Sequence, residues 1–244
     1  MINDKLSSSN IISDYNRIYS GPGIRTNSAY YKWLVSIFSP KTNSKLLDVS
    51  CGEGLFLREV LKKNNAVQTF GLDISDVAIS VAKINSPDSR LLVADGQRIP
   101  FKDKQFDYVS CLGSIEHYLD PELGIGEIVR VAKDEAKFCI ILPNSAGIDL
   151  FIHIMEKGDR LIDDFQIIEK TATKIEWISL LERNGVAVEV VHGSNLWPEL
   201  FQEGTFKIKS ISKYLRRLMI KKLCPVNLAR EFVFICKKRR RKCF

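Results

Sequence analysis

Apolar and polar positions along the chain fall into a repeating alternation. Short apolar runs at residues 45–49, 67–72, 89–94, 106–111 and 136–142 read as strands. Between them, residues 54–64, 76–84 and 121–132 space their apolar positions three and four apart, the mark of helices that bury one stripe. A further helix fits residues 28–38 (SAYYKWLVSIF) and stops before Pro40, because proline disfavours helical backbone in the residue ahead of it. Later, residues 173–185 (TKIEWISLLERNG) form an amphipathic pattern with Gly185 placed as a C-cap. Residues 186–192 (VAVEVVH) and 230–238 (REFVFICKK) then read as two more strands. Strands alternating with helices predict an α/β fold: parallel strands joined by right-handed crossovers, with helices on both faces. Ligands in such sheets bind outside the carboxyl ends of the strands. Asp48, Asp73, Asp95 and Leu112 all fall at those ends, on one rim.

The turn after the first strand carries the chemistry. Residues 46–54 read LLDVSCGEG, and GLDIS follows at 71–75. Glycines let the backbone approach a ligand, and the helix start offers free N–H groups. An acid ending the second strand can grip both hydroxyls of a ribose. A dinucleotide fingerprint needs a third glycine, but after Gly52 and Gly54 that position holds Leu57. The segment Asp48-Val49-Ser50-Cys51-Gly52-Glu53-Gly54 instead resembles motif I of the class I methyltransferases that use S-adenosylmethionine. That motif is acid-x-G-x-G-x-G, and Ser50 stands where its first glycine is usual.

Residues 94–121 (ADGQRIPFKDKQFDYVSCLGSIEHYLDP) resemble the second half of the same site. The chain is similar there to the small-molecule, type 11-like members of the family. The resemblance implies a Rossmann-like sheet of seven strands in the order 3-2-1-4-5-7-6, the last antiparallel. It implies S-adenosylmethionine as cofactor, with Asp48, Ser50, Gly52, Gly54 and Leu112 around it. Asp73 would bind the ribose, or cap the next helix through Ser75. Ile74 would lie against the adenine. Asp95, with Gly96, would contact the adenine amine, or form a turn. The segment DYNRIYSG (residues 14–21) looks like the arm that folds over the cofactor, where Tyr19 covers the methionine end or packs the arm on the sheet. His117, in the loop after the fourth strand, is placed as the general base for an acceptor hydroxyl, ahead of Glu116; many relatives use a histidine here to orient the loop instead.

Composition narrows the acceptor only a little. Apolar residues make up 45% of the 244, mean hydropathy is −0.06, and no apolar run approaches the roughly 18 residues of a membrane span. The first residues, MINDKLSSSNIISDY, do not read as a secretory signal. Cysteines at 51, 111, 139, 224, 236 and 243 form no C-x-x-C pair, so neither a metal site nor disulfides are expected, and the setting reads as cytoplasmic. Net charge is +7, yet residues 237–242 carry +6 and residues 207–222 carry +7, so the rest of the chain is net negative.

One domain is expected across 1–244, with an N-terminal helical cap (1–40), a substrate lid (145–172), an insertion bearing a basic amphipathic helix (193–229) and a basic tail (237–244). The basic helix packs on its own domain or meets an anionic membrane, with residues 207–223 and 237–242 as the contact. The loop LGSIEHY lacks the N-P-P-Y of amine methylation on bases or glutamine. O-methylation of a small molecule, or of a glycan or lipid intermediate, is the favoured reading, and nucleic acid is disfavoured. An RNA methyltransferase that uses the C-terminal basic segment, and a non-catalytic partner subunit, are the alternatives.

Overall fold

The structure, a computed structural model, describes residues 8–21, 28–158, 170–194 and 225–239. Two helices, α1 (Ser8–Tyr19) and α2 (Ser28–Phe38), precede the sheet. Then follow β1 (Lys45–Val49), α3 (Leu55–Lys63), β2 (Gln68–Asp73), α4 (Asp76–Asn85), β3 (Arg90–Val93) and β4 (Phe106–Leu112). A 3-10 turn over Ile115–His117 leads to α5 (Pro121–Val131), β5 (Ala132–Pro143), α6 (Ile148–Lys157), α7 (Lys174–Arg183), β6 (Val186–Ser194) and β7 (Glu231–Lys238). The seven strands run in the order β3-β2-β1-β4-β5-β7-β6, as the resemblance implies. β1 to β5 pair in parallel, while β7 is antiparallel to both its neighbours.

Because side chains alternate across a strand, each central strand feeds two cores. Leu47, Phe138, Ile140, Phe232 and Phe234 face one layer with Ile125 and Ile128 of α5 and Trp177 and Leu181 of α7. Leu46, Cys139, Ile141, Val233 and Ile235 face the other with Leu34 and Phe38 of α2, Phe56 and Val60 of α3 and Ile79 of α4. Burial on both faces is why these strands read as near-continuous apolar runs. The helix starts follow their local chemistry. Ser75 Oγ accepts from Ala78 N at 3.1 Å to cap α4, Asp120 caps α5 ahead of Pro121, and Thr173 with Glu176 forms a capping box on α7.

Two boundaries differ from the sequence reading. β5 begins at Ala132, not near 136, because Ala132 already pairs with Phe106 before an irregularity shifts the register. The basic tail begins later than 237. Lys237 and Lys238 are the last residues of β7, where Lys237 Nζ pairs with Glu189 at 2.9 Å and Lys238 Nζ donates to the Ala132 carbonyl at 2.8 Å. These two residues are therefore strand positions with partners of their own. The expected basic helix at 207–223, residues 159–169 of the expected lid and residues 240–244 lie outside the described residues. Among the described residues no helix is long and apolar enough to cross a membrane.

Candidate active site

The carboxyl ends of β1, β2, β3 and β4 and the turns that leave them open onto one cleft. Asp48 and Ser50 with Gly52 follow β1, Asp73 and Ile74 follow β2, and Asp95 with Gly96 follows β3. Leu112 and His117 come from the end of β4 and its loop, and Tyr19 closes the cleft from α1. Ten of the eleven residues expected at the site line it together. Gly54 does not. It caps α3 with φ +72°, and a Cβ there would stand 3.0 Å from the Ala82 side chain, so it lets α3 pack closely on α4.

The carboxylates are held by named donors. Asp73 is buried; its Oδ2 accepts from Gly52 N at 2.8 Å and its Oδ1 from Ser75 N at 3.0 Å. It therefore ties the glycine turn to the start of α4, and the cap itself is the work of Ser75. The carboxylate's acceptor sites not taken by backbone donors are left for a ligand hydroxyl. Burial raises its pKa against the pull of those backbone bonds. Asp48 is more deeply shut in. Burial pushes its carboxyl up to about 7, opposed by Ser110 Oγ, which donates to Oδ1 at 2.7 Å. Asp95 Oδ1 accepts from Gln97 N at 2.8 Å, so it makes the turn and still faces the cleft. His117 sits in the 3-10 turn with Nε2 3.7 Å from Glu116 Oε1.

The lid over this floor is α1. Asn16 accepts from Ser75 Oγ at 2.6 Å and donates to Asp76 at 2.7 Å, which pins the helix to the start of α4. Tyr15 and Tyr19, one turn apart, then point into the cleft. Burial first, then the Glu116 and Asp73 carboxylates for Tyr15 and Asp73 for Tyr19, holds both phenols protonated well above their ordinary range. The Tyr19 hydroxyl lies 2.8 Å from where a Cβ on Gly52 would stand, and Gly52 has φ +51°, so only glycine fits beneath it. Tyr19 is an expected site residue and Tyr15 an added one, whose signal in the sequence is its spacing of four from Tyr19 in a helix. Gln97 and Tyr118 are also added, and their places depend on loops far apart in the chain.

The charge of the cleft selects its occupant. Among the described residues that line it are Asp48, Glu53, Asp73 and Asp95, and no lysine or arginine. A ribose diol and a positively charged sulfonium suit this surface, so the donor set fits S-adenosylmethionine. In agreement, residues 47–140 match a family described as the methyltransferase domain. Over that stretch the chain is similar to methyltransferases.

The chain's relatives are distant and partial. An uncharacterized protein of Methanocaldococcus jannaschii is 30% identical over 157 residues, covering 64% of this chain and 54% of that protein. The demethylmenaquinone methyltransferase of Thermotoga maritima is 25% identical over 126 residues, 52% of this chain and 54% of the enzyme. The chain thus spans about half the length of these curated relatives. Among solved structures, a chain from the Haloferax volcanii complex between the Trm112 methyltransferase activator and a methyltransferase superposes with TM-score 0.67 at 14% identity. That match covers 98% of this chain and 100% of that chain, and it shows the fold.

Proposed function

We propose that the protein transfers a methyl group from S-adenosylmethionine to a small acceptor, by O-methylation of a small molecule or of a glycan or lipid intermediate. The observation that carries this reading is the cleft where three strand-end carboxylates converge with no lysine or arginine among the described lining residues. Asp73 would take the ribose hydroxyls, Asp95 the adenine amine and Ile74 the adenine face, while Tyr19 covers the methionine end. When bound, the cofactor supplies a methyl group on an already activated leaving group. What is left to the protein is alignment and a proton. Aligning two reactants in a closed cleft is worth several kcal/mol, up to about 7–11 in the best cases. His117 would accept the acceptor's hydroxyl proton on its ring, in the pH range where imidazole titrates.

Calorimetric titration with S-adenosylmethionine and S-adenosylhomocysteine tests the reading. Binding should weaken at least tenfold in Asp73→Ala, and unchanged affinity would overturn the site map. His117→Ala should bind both ligands and lose turnover with any acceptor found by labelled-methyl screening; undiminished turnover removes His117 as the base. If neither ligand binds, the non-catalytic partner reading takes over.

The basic segment 207–222 supports a second reading, an RNA methyltransferase. That reading expects salt-sensitive RNA binding, lost when Arg240, Arg241 and Lys242 are neutralised. Cutting from residue 237 would damage β7 and is not a clean test. Contact of residues 207–223 and 240–242 with an anionic membrane would instead appear as co-sedimentation with phosphatidylserine vesicles.

A further inference from the structure

Ser50 is the one departure of the glycine turn from the pattern it resembles, and its backbone shows the consequence. Its φ is +56°, the left-handed region that glycine enters freely and a residue with a Cβ does not. Something must hold it there. Ser50 Oγ lies 2.8 Å from the Tyr118 hydroxyl, which also reaches Cys111 Sγ at 3.7 Å.

Tyr118 is buried, and its position is enforced from two sides. A Cβ on Gly96 would collide with the phenol oxygen, and one on Gly124 would collide with the ring at Cδ2. The ring therefore occupies slots left by two glycines, one in the loop after β3 and one in α5. Its backbone carbonyl accepts from Lys170 Nζ at 2.8 Å, and its neighbour His117 faces the cleft. One side chain thus joins the loops after β1, β3 and β4.

We infer that Tyr118 is a positioning residue whose hydroxyl anchors Ser50 in its left-handed conformation and so sets the shape of the glycine turn. The expected effect on cofactor affinity rests on the function proposed above, but the anchoring itself does not. The mechanism is local. The turn presents Cys51 N to the Leu72 carbonyl at 2.8 Å and Gly52 N to Asp73 Oδ2 at 2.8 Å. If Ser50 relaxes toward negative φ, both bonds loosen, and Asp73 loses one of the backbone donors that orient it. A glycine at position 50 would need no anchor.

The test is a double-substitution cycle on the full chain, with Tyr118→Phe introduced into the natural sequence and into Ser50→Gly. Amide hydrogen exchange at Cys51 and Gly52, read without ligand, and calorimetric titration with S-adenosylhomocysteine are the two readouts. In the natural sequence, Tyr118→Phe should speed exchange at both amides at least fivefold and weaken binding at least fivefold. In the Ser50→Gly background the same substitution should change each by less than twofold. Ser50→Ala, which keeps the Cβ and removes the hydroxyl, should reproduce Tyr118→Phe. Equal effects in both backgrounds would mean that Tyr118 only fills the core, and unchanged exchange in Tyr118→Phe would mean that it anchors nothing; either overturns the inference. If the unaltered protein fails to bind S-adenosylhomocysteine, the cofactor reading falls, while the ligand-free exchange cycle still decides the anchor.

Discussion

At the scale of single residues, Asp48 gives the protein a pH dependence. Its carboxyl titrates near 3.8 when unfolded and near 7 when folded. Between those values the folded state holds a proton that the unfolded chain has lost, so stability falls as pH rises from about 4 to about 7 and levels off above. Asp48→Asn removes the group and keeps an acceptor for Ser110. It should therefore be more stable than the natural protein at pH 8, by an amount on the order of 2–4 kcal/mol, and should lose that advantage by pH 4. Urea unfolding at the two pH values reads this, and a gap independent of pH would remove Asp48 as the cause. Two glycines in α5 give a second contrast. Gly124→Ala pushes into the Tyr118 ring and should cost about 1–3 kcal/mol. Gly126→Ala meets nothing within 4 Å and should stabilise by about 0.5–1 kcal/mol, as alanine does in an exposed helix. Asp73, Asp95 and Gly52 were legible because acids at strand ends and a glycine turn have local signatures. The setting of Tyr118 was not, since it depends on Ser50, Gly96 and Gly124 meeting in space.

At the scale of elements, α1 makes an open groove into a covered cleft, and Asn16 supplies its two side-chain hydrogen bonds to the start of α4. Asn16→Ala cuts both links to α4 and leaves the sheet untouched. The expected result is S-adenosylhomocysteine affinity lowered about three- to tenfold with a melting temperature within about 2 °C, in keeping with the modest worth of individual exposed hydrogen bonds. A melting temperature that falls in step with affinity would mean that α1 is part of the core. The alternation of periods located the seven strands and α2, α3, α4, α5 and α7, because two-sided burial and one-sided burial leave different patterns; it did not give α1 or α6. It missed the early start of β5, where one bridging residue, Ala132, is set by pairing with Phe106. It also placed Lys237 and Lys238 in both strand and tail, because charge in the sequence does not show that Glu189 and the Ala132 carbonyl lie beside them.

At the scale of the whole molecule, the sheet order puts every acid of the site on one rim and leaves the opposite rim to structural ion pairs such as Arg130 with Asp103 and Lys104 with Asp134. That order followed from the resemblance and not from periodicity, which says nothing of which strands are neighbours. The late strand β7 lies inside the sheet, between β5 and β6, and supplies Phe232, Phe234 and Cys236 to one core and Val233 and Ile235 to the other. A chain stopped after residue 230 should therefore stay unfolded by circular dichroism, and a cooperative transition in that fragment would show that β7 is dispensable.

During synthesis this arrangement imposes a wait. Residues 195–230 separate β6 from β7, and at about 5–20 residues per second they take roughly 2–7 s to make. For those seconds β5 and β6 each expose an unpaired edge, and they could pair with each other in the wrong order or with another nascent chain. A chaperone that binds extended apolar segments would find its substrate in that interval, and a messenger broken near its end would yield a polypeptide marked for degradation by its own open sheet.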